Sequence, residues 1–263
     1  MTPILILGAG RMGAAIAGGL VTTGSVRASD LILVDPHPGP DALSLAQQGA
    51  VLNPPPAAYA QARTVLLAVK PQLWRGAAEA TAPHLAPDAL IVSIAAGVTT
   101  KALVDAFHGR RVARVMPTTA VAIARGVASV WAELAADRTA ARALFQPLAR
   151  VVDLDSEDLM DAATAVSGSG PAYVYALVEA MAAAGTAAGL PEAAAAELAR
   201  ATVIGAAALM EQSPASPAEL RIQVTSPGGT TAAALQVLTG EPGLGSLMTA
   251  AVAAAVARAK ELG

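Results

Sequence analysis

From Pro3 to about Asp155, short apolar runs alternate with stretches of helical periodicity. "PILILGAG" has the unbroken apolar character of a strand buried on both faces, and it runs into glycines. "RMGAAIAGGLVTTG" then repeats apolar positions at helical spacing and stops at Gly24. "DLILVDP", "TVLLAVKP", "ALIVSIAAG", "RRVARVMP", "GVASVWAE" and "VVDLD" predict further strands. "DALSLAQQGA", "LWRGAAEATAPHL", "TKALVDAF" and "RTAARALFQPLAR" predict the helices between them. Strands of this kind separated by helices imply a mainly parallel sheet with helices on both faces. After Glu157 the alternation ends. Residues 157–263 read as four or five helices, interrupted at "GSGP", "GLP", "SPASP", "SPGG" and "GEPG". The pattern therefore predicts an α/β domain over residues 1–155 and an all-α domain over 156–263.

The helices of the second domain lack a polar face. "YVYALVEAMAAAGTAAGL" carries only Glu179 as a charge. A helix apolar all round needs burial on every side, and one small bundle cannot supply it. A partner subunit covering these faces is the expected solution.

Composition narrows the function classes. The net charge of −3 and an aromatic content of 3% offer no basic, aromatic-lined surface for nucleic acid. The mean hydropathy of +0.53 raises the question of a membrane. The charge-free runs 162–178 and 222–240 are broken by "SGSGP" and by Pro227, Gly228 and Gly229, so neither reads as a clean span. With no cysteine there is no disulfide framework and no thiol nucleophile. His37, His84 and His108 show no metal-binding or triad spacing, and no metal is expected. These features predict a soluble, cytoplasmic protein with no membrane or nucleic-acid partner.

Five features carry chemistry. "GAGRMG" places Gly8, Gly10 and Gly13 between a predicted strand and a predicted helix, with Arg11 and Met12 in the same loop. This is the context of a dinucleotide-binding turn, in which the glycines allow a tight bend, pyrophosphate approach and close helix–strand packing. Asp35 ends the second long strand, where a carboxylate can accept the ribose hydroxyls of NAD and would repel the 2′-phosphate of NADP. Arg11 is the nearby cation that could offset that repulsion. Ala68, Val69 and Lys70 in "AVKP", and Ala95 in "SIAAG", end central strands and face the same crevice. "VSGSGPAYVY" reads as a polar loop with Ser169 and Gly170 ahead of a long helix, Pro171 suiting its first turn. Finally, "VTSPGGTTAAAL" interrupts alanine-rich helix with Pro-Gly-Gly. Thr230 or Thr231 can cap a helix starting at Ala232. Such a start, preceded by glycines, gathers unpaired N–H groups that attract anions.

"GAGRMGAAI", "AVKPQ", "SGSGPAYVY" and "SPGGTTAAAL", in this order and at these separations, resemble the pyrroline-5-carboxylate reductase family along essentially the whole chain. The resemblance implies a Rossmann-type domain followed by a helical dimerisation domain, forming a homodimer, with a decamer of five dimers as the larger assembly. It implies hydride transfer from NADPH or NADH to the C=N bond of 1-pyrroline-5-carboxylate, giving L-proline, the last step of proline biosynthesis. By the same resemblance, the backbone from Val224 through Ser226, Gly228 and Gly229 to Thr230 would hold the substrate carboxylate. Thr231 would be the catalytic hydroxyl near the ring nitrogen, Ser169 and Gly170 would wall the substrate, and Gln223 would reach the cofactor.

Three positions depart from the family pattern: Thr118, Ala120 and Asp35. "MPTTA" at residues 116–120 stands where "MPNTP" is usual, and Asp35 stands where many relatives have a neutral or basic residue. A reductase of another cyclic imine is the alternative reading, and a non-catalytic cofactor-binding protein the more distant one. A β-hydroxyacid dehydrogenase is disfavoured, because such enzymes use a lysine of the second domain and this chain has none between Lys101 and Lys260.

Overall fold

The computed structural model describes residues 1–262. The chain forms two compact units. One comprises Met1–Gly168 together with the residues from Ala255 onward, and the other comprises Ser169–Ala254.

The first unit is built on a single eight-stranded sheet. Its strands are β1 (Ile4–Leu7), β2 (Leu31–Val34), β3 (Val51–Leu52), β4 (Thr64–Leu67), β5 (Leu90–Ser93), β6 (Val112–Pro117), β7 (Gly126–Ala132) and β8 (Ala149–Asp153). They lie in the order β3-β2-β1-β4-β5-β6-β7-β8. All neighbours are parallel except β6 and β7. The chain therefore runs outward from β1 to β3, then restarts on the other side of β1 with β4. Ligands of open α/β sheets bind beyond the strand ends at that reversal. Strand β3 was not predicted. It spans two residues, too few for a hydrophobic period to register.

The apolar runs are continuous because both sheet faces are covered. Ile4 and Ile6 pack with Ile16, Ala17 and Leu20 of helix α1 (Arg11–Thr22) on one face. Leu5 and Leu7 point the other way, into a core with Tyr59, Leu103 and Ala78. Ala78 belongs to helix α3 (Trp74–Thr81) and Leu103 to α4 (Thr100–Ala106). Helix α2 (Pro40–Gln47) joins the first face, as does α5 (Ala135–Phe145). Alternate residues of one strand thus feed two cores.

Beneath β6 lies a buried ion pair. The Arg114 guanidinium donates to Glu157 Oε1 at 2.7 Å, with the arginine side chain only 6% exposed and the glutamate 25%. The same oxygen accepts the Thr100 N–H at 2.6 Å, at the start of α4. Glu157 opens a short helical stretch, continued by α6 (Met160–Ala163) and a π-helical turn over Thr164–Gly168. The expected polar loop at "VSGSG" is therefore corrected. Its first half is wound helix: Val166, Ser167 and Gly168 belong to the π-helical turn, in which the Ser167 hydroxyl donates to Ala163 O at 2.8 Å.

The second unit is helical, as expected. Its helices are α7 (Gly170–Ala187), α8 (Glu192–Gln212), α9 (Pro217–Gln223) and α10 (Thr230–Leu238), followed by α11 (Leu244–Leu262), whose first part lies here. Small residues let α7 and α8 approach closely: a Cβ added to Gly185 would lie 3.2 Å from Cβ of Ala195. Gly189, at φ +101°, reverses the chain between them. Within the single chain, Tyr175, Leu198, Ile204, Leu209, Val237 and Leu247 remain exposed. Among the described residues one helix, Glu192–Gln212, is long and apolar enough to cross a membrane by length and composition. It carries Glu192, Glu197, Arg200 and Glu211 along its length.

Candidate active site

The principal cleft of the first unit, about 840 Å³, opens at the ends of β1, β2, β4, β5 and β6. Leu7, Gly8, Gly10, Arg11 and Met12 form one side, Asp35 and His37 a second, and Ala68, Val69 and Lys70 a third. Ala95, Ala96, Met116 and Pro117 close it. The glycines are demanded by sterics. Gly8 sits at φ +92°, and a Cβ there would lie 2.7 Å from the Val69 nitrogen. A Cβ on Gly13 would drive into the Gly8 carbonyl oxygen. Gly13 does not line the cleft; it seats α1 against the loop. Around Gly10, in contrast, an added Cβ would find no atom nearer than Asp35 Oδ2 at 4.0 Å. That is the open cradle an approaching phosphate requires. Gly10 is also the N-cap of α1 and makes no side-chain cap bond, so the first turn offers its N–H groups to the cleft. The residues present fit a dinucleotide.

Asp35 faces this cradle. Its Oδ1 accepts the His37 N–H at 2.8 Å, which leaves Oδ2 toward Gly10. Lys70 lies three residues beyond β4, not at its last position, and is exposed on the rim. Ala95 is buried beneath the cleft. Several lining residues were missed by sequence reasoning. Tyr59, on a short 3-10 helix over Pro56–Gln61, is buried with its ring edge-on to His84, centroids 6.5 Å apart. Burial pushes its phenol pKa up. A lone tyrosine in the proline-rich "NPPPAAYA" was the available signal. Leu73 and Thr81 gave none.

The substituted "MPTTA" segment has a structural account. Thr118 is buried; its N–H donates to Val127 O at 2.9 Å, and its hydroxyl oxygen accepts the Val127 N–H at 3.0 Å. It thereby latches β6 to β7. Met116 and Pro117 line the cleft, while Thr118 and Ala120 are not among its lining residues. The segment thus reaches the cleft through Met116 and Pro117, not through its two substituted positions.

In the second unit, "VTSPGGTT" forms a tight turn ahead of α10. Gly229 N–H donates to Ser226 O at 3.0 Å, with Pro227 and Gly228 between them and Gly228 at φ +70°. Proline followed by a positive-φ glycine is the signature of a type II turn. The helix begins at Thr230, not Ala232, and its N-cap is Gly229, with no side-chain cap bond. The expected threonine cap is therefore corrected: both threonines lie inside the first turn, where a hydroxyl cannot reach forward to cap. Among the described residues neither the Thr230 nor the Thr231 hydroxyl has a hydrogen-bond partner. Thr225 and Gly229 spend their N–H groups within the loop, on Ile222 O and Ser226 O. Among the described residues, the N–H groups of Ser226, Gly228, Thr230 and Thr231 have no such partner. Val224 caps the end of α9, which Gln223 terminates exposed. Ser169 is the N-cap of α7 and Gly170 its first residue, with no side-chain cap bond.

Comparison with known proteins decides the family. Residues 157–262 match the model for pyrroline-5-carboxylate reductase dimerisation, and residues 3–97 match that for NADP oxidoreductase, coenzyme F420-dependent. The chain is 40% identical to the pyrroline-5-carboxylate reductase of Pseudomonas aeruginosa, covering 98% of this chain and 96% of the relative. The chain belongs to the pyrroline-5-carboxylate reductase family. The family's reductase from Coxiella burnetii superposes with a TM-score of 0.90 at 31% identity, covering 100% of this chain and 98% of that one. The Plasmodium falciparum pyrroline carboxylate reductase, solved with NADP bound, superposes at 0.84 over 100% and 98% of the two chains. At 24% identity it speaks to the fold alone. The α/β Rossmann-type domain and the helical dimerisation domain expected from the sequence are both borne out. The dimerisation match supports self-association of the chain, in keeping with the exposed apolar side chains of the helical unit.

Proposed function

We propose that this chain is a pyrroline-5-carboxylate reductase, which reduces the C=N bond of 1-pyrroline-5-carboxylate to give L-proline, the last step of proline biosynthesis. The supporting observation is that one chain carries both required parts: a glycine-cradled cleft at the sheet's reversal and an uncapped helix start after a type II turn. NADH or NADPH, bound in the cleft, supplies the hydride. Gly8, Gly10, Arg11, Met12 and Gly13 shape the pyrophosphate site, Asp35 the ribose site, and Ala68, Val69, Lys70 and Ala95 the inner wall. Gln223 contributes from the helical domain.

The remaining work falls to the "VTSPGGTT" loop. The substrate carboxylate is held by backbone N–H groups of Ser226, Gly228, Thr230 and Thr231. Hydrogen bonds to a charged group contribute about 1.5–3 kcal/mol each, so two or three suffice for a small acid. Val224 and Gly229 fix the loop around them. The ring carbon gains the hydride and the nitrogen a proton; the unpartnered Thr231 hydroxyl orients that nitrogen and passes the proton. Ser169 and Gly170 wall the ring from water. An imine so activated accepts hydride readily, so positioning reacting atoms about 3–3.5 Å apart is the main catalytic task.

We place the domain division at 155/156, the assembly as a homodimer that can build a decamer, and the protein in the cytoplasm without membrane or nucleic-acid partners. The absence of cysteine and of a basic patch supports the last two points. The test is cofactor oxidation with pyrroline-5-carboxylate, set against cyclic imines with a six-membered ring or with the carboxylate on the imine carbon. Pyrroline-5-carboxylate should give the highest kcat/KM, with L-proline as product. Faster turnover of another imine would transfer the assignment to that substrate.

A further inference from the structure

The end of β2 is fastened more heavily than a strand end requires. Asn53, one residue past β3, holds the backbone of Asp35 from both sides. Its Oδ1 accepts the Asp35 N–H at 2.9 Å, and its Nδ2 donates to Asp35 O at 2.8 Å. Asn53 is itself tied to β2 through its N–H, which donates to Leu33 O at 2.8 Å. It reaches this position in the left-handed region, at φ +48°, which asparagine tolerates better than most residues. The Gly8 N–H bonds Val34 O at 2.8 Å, so the strand end is also locked to the glycine loop. Downstream, the His37 N–H engages Asp35 Oδ1 at 2.8 Å and so fixes the carboxylate's rotation. One oxygen is consumed within the protein. The other, Oδ2, is the atom closest to where a side chain on Gly10 would begin.

This inference rests on the reading of the cleft as a nicotinamide dinucleotide site. We propose that the Asp35–Asn53–His37 arrangement makes this chain select NADH over NADPH, with Asp35 as the discriminating residue and Asn53 as the residue that positions it. The physical reason is an immobilised anion. A mobile carboxylate could swing away from a 2′-phosphate or be screened by water. Here the backbone is clamped on both sides and one oxygen is already hydrogen-bonded, so Oδ2 stays at the ribose end of the cradle. There it accepts the two hydroxyls of an unmodified ribose. A 2′-phosphate would bring about two negative charges against a carboxylate that cannot leave. Of the other groups lining the cleft, Arg11 and Lys70 are the cations and His37 the one further titratable base. Arg11 opens α1 beside the pyrophosphate cradle, and Lys70 follows β4 on the inner side. Neither is ion-paired to Asp35.

Equilibrium titration of the full-length protein with NADH and with NADPH, followed by nucleotide fluorescence and without substrate, tests the proposal. The wild-type chain should bind NADH at least about tenfold more tightly, the weight of one charge-assisted hydrogen bond. Asp35→Asn keeps the acceptor for His37 and removes the charge; it should cut the NADH-to-NADPH affinity ratio by about tenfold or more. Asn53→Gly suits the left-handed backbone while deleting the clasp. It should reduce that ratio roughly three- to tenfold, whereas a merely structural role would weaken both nucleotides alike. A wild-type chain that binds NADPH as tightly as NADH, or an Asp35→Asn ratio equal to wild type, overturns the proposal while leaving the dinucleotide reading intact. Failure of both nucleotides to bind would overturn that reading instead. Should Asn53→Gly not fold, the Asp35→Asn ratio decides alone.

Discussion

Replacing Glu157 with alanine should be among the most damaging single changes outside the cleft. The substitution strands the Arg114 guanidinium, whose side chain is 6% exposed, and removes the acceptor of the Thr100 N–H. Breaking a buried pair from one side costs about 3–5 kcal/mol, because a charge stays behind without compensation. Glu157 is 25% exposed, so water can reach part of the vacated space and the lower end applies. Adding part of the unsatisfied Thr100 N–H gives about 3–4 kcal/mol. Arg114→Met leaves a different remainder. The glutamate keeps its bond to Thr100 and its access to water, and methionine fills the channel, so the cost falls to about 1–2 kcal/mol. Arg114→Met combined with Glu157→Gln removes both charges and retains an acceptor for Thr100; it should lie within about 1 kcal/mol of wild type. Urea midpoints at one fixed protomer concentration measure all three, with an unchanged slope confirming that stability alone has moved. The reasoning fails if Glu157→Ala costs less than about 1 kcal/mol, or if the Arg114→Met, Glu157→Gln double variant is no more stable than Glu157→Ala.

Two further predictions concern the helical unit. Thr231→Ala should lower kcat at least about fivefold, the weight of one orienting hydrogen bond, and about 10²–10⁴-fold if the hydroxyl also passes the proton. Thr231→Ser should restore most of it, and Thr230→Ala, which removes no cap bond, should leave both stability and kcat nearly unchanged; steady-state kinetics showing the reverse pattern would shift the catalytic assignment by one residue. The Glu219 carboxylate is held below its ordinary value, first by the Ser216 backbone N–H at 2.7 Å and then by the Ser216 hydroxyl at 2.8 Å. A depressed carboxylate stabilises above its unfolded-state pKa and loses that contribution as pH falls through the folded value. Protection of the amides across Pro217–Gln223, measured against their intrinsic exchange rates at each pH, should therefore fall below about pH 4, and a Glu219→Gln variant should show no such step.

The sheet was legible because its physics is local. A strand buried on both faces must be apolar at every position, so "ILIL", "LILV" and "LIVS" declare themselves. The five helices after Ser169 were legible for the complementary reason, since each break is marked by glycine or proline. What escaped needed distant partners. Strand β3 is two residues held by its pairing with β2. Asn53 matters only because residues 18 positions apart meet, which no local period encodes. Thr118 looked like a change in the site, yet its hydroxyl serves Val127 across a hairpin. The start of α10 was read two residues late because its threonines resembled caps. Cap identity depends on which N–H a side chain can reach, and "GGTT" permits either register on paper.

The two neighbouring helices α9 and α10 begin in opposite ways. Helix α9 carries a complete capping box, Ser216 and Glu219 serving each other's backbone. Helix α10 starts at a bare glycine. On the proposed reading, the missing cap of α10 is the substrate itself: its carboxylate does for Thr230 and Thr231 what a serine or aspartate would do from within the chain. The protein is then left unfinished at one place by design, and each turnover completes and dismantles a helix start. A serine or aspartate at Gly229 would have to tolerate a Cβ about 3.1 Å from Ser226 O. If it did, it would stabilise the resting fold by occupying the seat its ligand needs. Here a more stable protein would be a poorer enzyme, and selection for activity keeps the cap absent.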